Sequence, residues 1–278
     1  MSLYRIGRSG ELRLTFNQRD RRTALVENYS RPPLQVMGSM LDAAGCLCAY
    51  VVSPSGGIVQ NDQYLVQICL NPGTHALLTT PAANRVYRMP SGYATQRVEI
   101  TLGEEALFEY VPDATILFSE SDFRQTMDVT LTRGSLLILQ DIIMPGRLAR
   151  NEHLQFRQYA SRFVARDDCG LLLYDNARII PTEQNLTGLG FLEGYACWGN
   201  FYILGDLAHW QIDASAFCAA HQDSLTTPES LGAITPLHRN GLCVRLLSRR
   251  LETITDTFET LRQAVRISLG LKHEKLRK

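Results

Sequence analysis

Five carboxylates lie in or beside strongly apolar, strand-like runs of the chain: Asp62, Glu109, Asp113, Asp141 and Glu152. The stretch Leu139–Gln140–Asp141–Ile142–Ile143 shows the pattern most clearly. An ionised carboxylate buried without partners is costly, so each of these groups must meet an arginine, backbone N–H groups, water or a cation. Internal ion pairs, for example with Arg85, Arg88 or Arg147, meet that need. So does a hydrated polar path through the protein, along which oxygen ligands hold a divalent cation weakly enough to release it.

Sulfur and imidazole groups are less well arranged. Cys46 and Cys48 are two apart, so on a strand they share a face and would supply half of a soft-metal site. Their neighbours Ala43, Ala44, Gly45, Leu47 and Ala49 favour packing as core cysteines, and no second Cys or His pair at comparable spacing completes a closed site. There is no GxSxG elbow and no HExxH motif, and the six histidines are scattered. Lysine is confined to Lys272, Lys275 and Lys278, which excludes a GxxxxGK[ST] phosphate loop and a Schiff-base lysine in the body of the chain. The expectation is a protein that is not an enzyme and leaves any nucleotide to a partner.

With 278 residues, 45% of them hydrophobic, the chain can bury a large core, and it is read as a single domain over 1–278. Its 28 basic and 28 acidic residues cancel, which removes the electrostatic footprint of a nucleic-acid or membrane-surface binder. Seven cysteines, odd in number and set mostly among apolar neighbours, do not form a disulfide framework. The first residues carry no apolar leader, and no window offers about 18 uninterrupted apolar residues. These features predict a soluble cytoplasmic protein.

The elements that must position the carboxylates read as β. Leu12, Leu14 and Phe16 alternate with polar residues, and a polar turn separates them from Thr23–Glu27. A unit then recurs in which two strand-like runs flank a glycine: Tyr64–Leu70 and Ala76–Thr80 around Gly73, Val98–Leu102 and Ala106–Val111 around Gly103, Met127–Leu131 and Leu136–Ile143 around Gly134. These glycines fall about thirty residues apart. A hairpin-like unit that cannot bury its apolar face alone stacks on the next, which predicts an extended, layered β architecture. Further strands are expected at Gln155–Val164, Leu171–Tyr174, Ala177–Ile180, Phe201–Leu204 and Cys243–Leu247. Helices are expected after Asp213 and at the C-terminal end. There Ile254, Phe258, Leu261, Val265 and Leu269 keep helical spacing, Thr253 or Thr255 is the candidate cap, and Gly270 is the stop. Lys272 to Lys278 form a short basic tail.

The words SPSGGIV (Ser53–Val59) followed by Asp62, and LLTTPA (Leu77–Ala82) followed by VYR (Val86–Arg88), resemble the urease accessory protein D family, UreD/UreH. Further resemblance lies at Glu109–Tyr110–Val111–Pro112–Asp113, at Pro145–Gly146–Arg147 with Glu152, and at Gly188 through Tyr195, in the family's order. The sequence departs from the family where Gln60–Asn61–Asp62 stands for a Gly–Asp pair, where Asn84–Arg85 stands for Thr–Lys, and where Asn151 stands for a glycine before Glu152.

The resemblance implies a mainly β fold, an extended stack of strands in a right-handed β-helix-like arrangement with about two α-helices, one of them C-terminal. It also implies a urease maturation factor. Such a protein binds apo-urease and UreF, which recruits the GTPase UreG, and it helps deliver nickel through an internal tunnel with no permanently bound cofactor. On that basis Asp62, Glu109, Asp113, Asp141 and Glu152 are polar-path candidates, and Asp62, Asp141 and Glu152 are weak nickel candidates. Arg147 is the cation expected to order the turn that holds Glu152. The alternatives are a purely structural interaction scaffold without metal passage, and a β-helical carbohydrate-active enzyme with paired carboxylates and aromatic platforms at Trp198 or Trp210.

Overall fold

A computed structural model of the chain describes residues 7–20, 22–42 and 45–272. The expected basic tail lies outside the described residues apart from Lys272. In chain order, β1 (Ser9–Arg19) and β2 (Arg22–Arg31) form an antiparallel hairpin, and β3 (Gln35–Leu41) pairs antiparallel with β4 (Leu47–Val52). Then follow β5 (Gln63–Leu70), β6 (His75–Thr79), β7 (Asn84–Val86), β8 (Ala94–Leu102), β9 (Leu107–Val111), β10 (Thr115–Leu117), β11 (Asp122–Leu131) and β12 (Leu136–Met144). The remainder is β13 (Gln158–Asp167), β14 (Gly170–Ile179), β15 (Cys197–Gly205), helix α1 (Ala214–His221), β16 (Ser230–Pro236), β17 (Gly241–Ser248) and helix α2 (Leu251–Ser268).

From β4 to β13 the chain passes back and forth between two sheets. One carries the parallel ladder β1-β5-β8-β11-β13 and the other the parallel ladder β4-β6-β9-β12. Each circuit lays a strand beside its predecessor, giving a mainly β solenoid of about 4 turns. The two runs of each repeat therefore do not pair with each other, as a hairpin-like unit would. They lie in different sheets, and the glycine between them marks a corner.

In-register parallel pairing makes rows of equivalent side chains along the solenoid axis. Leu14, Ile68, Ile100 and Val129 form one such row, and Phe16, Leu70, Leu102 and Leu131 another. Across from them, Ala76, Phe108 and Leu137 align, as do Leu78, Tyr110 and Leu139. All of these residues belong to one buried core. Because side chains alternate along a strand, the odd-numbered positions of β12 face this interior and the even-numbered ones face outward.

The outward face of the second sheet is covered by α2, whose stripe of Ile254, Phe258, Leu261 and Val265 packs with Ile138, Ile142, Phe201 and Ile203 in a second core. At Gly199 a Cβ would sit 2.7 Å from the Phe258 ring, so only glycine lets the helix close down on β15. Gly270 ends the helix region with φ +68°, and the Leu271 N–H bonds back to the Arg266 carbonyl. The cap of α2 differs from expectation. Arg250 occupies that position without a side-chain bond, while the Thr255 hydroxyl donates to the Leu251 carbonyl inside the helix. Asp213 does cap α1, accepting from the Ala216 N–H. Leu171–Tyr174 and Ala177–Ile180 prove to be parts of one strand, β14, because an antiparallel partner in β13 holds the polar Asp175–Asn176 step in the ladder. The strand expected from Gln155 begins at Gln158, and the short strands β7 and β10 and the strand β16 have no counterpart in the sequence reading.

Candidate functional site

One interior row differs from the others. Tyr64, Gln96, Gln125 and Ser161 are successive register partners on β5, β8, β11 and β13, four residues along each strand from the row of Ile68, Ile100 and Val129 and on the same face. At about 4.8 Å per strand the row runs for roughly 14 Å along the solenoid axis. Asp141, the inward position of β12 after Leu139, meets this row from the opposite sheet and pairs in register with Asn200 of β15.

Two cavities open along the row. One, of about 430 Å³, is lined by Ser161, Asp175, Trp198 and Asn200 among others. The second, of about 440 Å³, is lined by Tyr64, Gln96, Arg85 and Asp113 among others. Gln125, Met127 and Asp141 line both, so Asp141 stands at the junction. Gln125 Nε2 donates to Asp141 Oδ2 at 3.0 Å and lies 2.8 Å from the Tyr159 hydroxyl and 3.1 Å from the Ser161 hydroxyl. Burial pushes the Asp141 carboxyl up to about 6, against the lowering effect of the Gln125 and Tyr159 hydrogen bonds, and the charge of Asp175 adds to the rise. Asp175 in turn accepts from the Tyr202 hydroxyl (2.6 Å) and from Arg245 (2.7 Å). Carboxylate, amide and hydroxyl oxygens around these cavities are the donor types that hard and borderline divalent cations take.

The other candidates are placed apart from this junction, except Asp113. That residue lines the second cavity, and its N–H donates to the Thr80 hydroxyl at 2.8 Å. Asp62 is buried behind Tyr64 and ties a loop together, accepting from the Arg8 N–H (2.8 Å), the Val59 N–H (2.9 Å) and the Tyr64 hydroxyl (2.8 Å). Glu152 receives Arg147 in a two-point ion pair, with Arg147 Nε 2.7 Å from Oε2, and the Arg147 guanidinium lies 4.1 Å from the Phe118 ring centre. The hydrogen bond from Arg147 holds the Glu152 carboxyl below its ordinary range. The pair spans the five-residue turn between Arg147 and Glu152. Arg88 pairs with Glu120 rather than with any of the five carboxylates.

Two of the departures from the family pattern have a backbone reason. Asn61 and Asn151, which stand where glycine is usual, have φ values of 64° and 54°. Asparagine enters this left-handed region more readily than other non-glycine residues, so the substitution preserves the turn.

Glu109 faces outward, in the row Leu77–Glu109–Ile138 beneath α2. Arg262 Nη1 lies 2.6 Å from its Oε2, Arg266 Nη1 2.5 Å from its Oε1, and His75 Nε2 3.0 Å from Oε1. Burial alone would raise the Glu109 carboxyl, but the His75 hydrogen bond and the charges of Arg262, His75 and Arg266 hold it at about 2. Arg266 also reaches Asp42 (2.6 Å), and Arg262 reaches Glu259 (2.8 Å). Cys46 and Cys48 pack beside this cluster with Leu77 and Val111, buried as expected of core cysteines.

Sequence reasoning passed over Gln125, Tyr159 and Asp175 in the interior, Arg245 at the exposed edge of the first cavity, and Arg262 and Arg266 at the helix. The arginines had a signal: two at i and i+4, directly after Leu261 and Val265 of the apolar stripe. For Gln125 the signal was the polar position two residues before Val66, Val98 and Met127, visible only once those runs are aligned. Of the two tryptophans of the carbohydrate alternative, Trp198 lines the first cavity and Trp210 donates its indole N–H to the Gly134 carbonyl at 2.8 Å.

The family described as UreD urease accessory protein matches residues 8–278. The chain is 32% identical over 264 residues to urease accessory protein UreD 2 of Streptomyces griseus, covering 92% of this chain and 89% of that protein. It is 30% identical over 267 residues to urease accessory protein UreD of Haloarcula marismortui, covering 95% and 88%. The UreD of Cenarchaeum symbiosum is 29% identical over 284 residues, covering 99% and 97%. No helix among the described residues is long and apolar enough to cross a membrane.

Proposed function

The chain belongs to the UreD family of urease accessory proteins and takes part in urease maturation, and from that premise we propose that it conducts nickel through the solenoid interior along the polar row while bridging apo-urease to UreF and, through UreF, to the GTPase UreG. The observation that carries this reading is Asp141 at the junction of the two cavities, with Gln125 beside it. Nickel is cargo here, held by oxygen ligands in passing, and a deep binding well would trap it. Asp113 and Asp141 share a cavity lining and are the residues of the path. Asp62 and Glu152 have their oxygens engaged by internal donors, which supports a structural part for both. The chain itself catalyses no covalent step and works in the cytoplasm.

The test co-expresses apo-urease with its accessory proteins and this chain, either unchanged, absent, or as Asp141→Asn or Asp113→Asn. Complex formation is followed by co-purification, and urease activity and nickel content are measured. Asp141→Asn is expected to assemble normally and leave urease nickel-poor. Full activation by both variants would make this protein a scaffold without metal passage.

A further inference from the structure

The Glu109 cluster holds a second feature that the nickel path does not use. One donor atom from each of Cys46, His75 and Glu109 lies within 4.8 Å of the other two. In a tetrahedral shell with bonds of about 2.0–2.3 Å, neighbouring ligand atoms are about 3.5 Å apart, so the three need only a small contraction to share an ion. They come from three neighbouring segments of one ladder: Cys46 immediately before β4, His75 at the start of β6, and Glu109 in β9, two residues beyond Leu107, the register partner of His75. Cys48 is not among them and shares a hydrogen bond with Tyr50 instead.

The hydrogen bonds centred on Arg262 and Arg266 join Glu109 to Asp42 and Glu259 in one network beside the three donors. A divalent cation bound here displaces the Cys46 thiol proton to solvent. Glu109 Oε2 stays with Arg262, and Oε1, now shared by His75 and Arg266, turns to the ion. The His75 side chain keeps 15% of its surface exposed while Glu109 keeps none, so the ion enters past the imidazole.

We propose that Cys46, His75 and Glu109 form a binding site for a borderline divalent cation of the zinc, cobalt and nickel class, which ties the three segments of the β4-β6-β9 ladder together beneath α2. Its sulfur, nitrogen and oxygen donors differ in kind from the oxygen-lined interior path, and an ion here is retained rather than passed on.

The experiment adds Co2+ to the full-length, metal-free chain and records the absorption spectrum. A thiolate-to-cobalt charge-transfer band is expected, saturating at about one ion per chain and lost when Zn2+ is added in excess. Cys46→Ser and His75→Gln abolish the band, while Cys48→Ala and Asp141→Asn keep it, so this site and the interior path stand or fall separately. Absence of the band in the unchanged chain, or its survival in Cys46→Ser, overturns the proposal. Since Cys46 is buried, thermal unfolding supplies a second reading at the more exposed ligand. Zn2+ raises the midpoint of the unchanged chain and leaves that of His75→Gln where it was, and an equal rise in both overturns the site.

Discussion

Arg262 Nη1 of helix α2 lies 2.6 Å from Glu109 Oε2 of strand β9, across 153 residues of sequence, with side-chain exposures of 2% and 0%. This contact, doubled by Arg266, fastens the C-terminal helix to the solenoid. A carboxylate in an outward row would otherwise be trapped between Leu77 and Ile138. The guanidiniums would otherwise be buried in the apolar stripe.

Removing the shared anion leaves two buried guanidiniums without it. Glu109→Gln is expected to lower stability by about 3–5 kcal/mol, and Arg262→Met by less, since Arg266 and His75 still serve Glu109. Urea unfolding of metal-free protein followed by circular dichroism measures both. Equal, small effects would mean that the cluster contributes nothing beyond packing.

Asp141 gives stability a pH dependence of the opposite sign to an ordinary ion-paired carboxylate. Its carboxyl rises from 3.8 to about 6, so the folded state binds the proton more tightly than the unfolded state. The stabilising contribution is full below 3.8 and is lost as pH rises through about 6. Asp175, Arg245 and Tyr202 line the first cavity with Asp141, and Arg85, Asp113, Tyr64 and Tyr110 line the second with it, while the Tyr159 hydroxyl hydrogen-bonds to it. Asp141→Asn removes this slope, by at most about 2 kcal/mol after screening by cavity water. The check is the difference in urea midpoint between variant and unchanged chain at pH 4.5 and pH 7.5.

Asp62 is expected to behave as a structural residue. Asp62→Ala strips acceptors from two backbone N–H groups and the Tyr64 hydroxyl, at a cost of about 3 kcal/mol. A variant as stable as the unchanged chain, yet unable to support urease activation, would move Asp62 back onto the path.

Gly146 has φ +134°, and a Cβ there would sit 1.8 Å from the Glu152 carbonyl oxygen. Gly146→Ala is therefore expected to destabilise by about 1–3 kcal/mol and to loosen the Arg147–Glu152 turn. Asn151→Gly, at φ 54°, should be close to neutral, whereas Asn151→Val should cost about 1–2 kcal/mol. Thermal unfolding midpoints of the three variants rank them.

Much of the fold was legible in the sequence, since its causes are local. Alternation in Leu12, Leu14 and Phe16, glycine corners at Gly73, Gly103 and Gly134, the cap at Asp213 and the stripe from Ile254 to Val265 are each written within a few residues. So were the family and the solenoid. The pairing of the repeats was misjudged, because two runs flanking a turn read alike whether they return beside each other or cross to a second sheet.

Which carboxylate does what was decided only by tertiary structure. Asp141 and Glu109 sit in similarly apolar strands, yet Asp141 faces the interior beside Gln125 while Glu109 faces the helix and its arginines. The physical reason is parity and register: a shift of one residue on a strand exchanges the two faces, and the partners arrive from distant strands or from the last helix. Sequence alone determined that buried charge had to be answered. Only the register of the ladders decided that the two cavities and Gln125 answer it at Asp141 and that Arg262 and Arg266 answer it at Glu109.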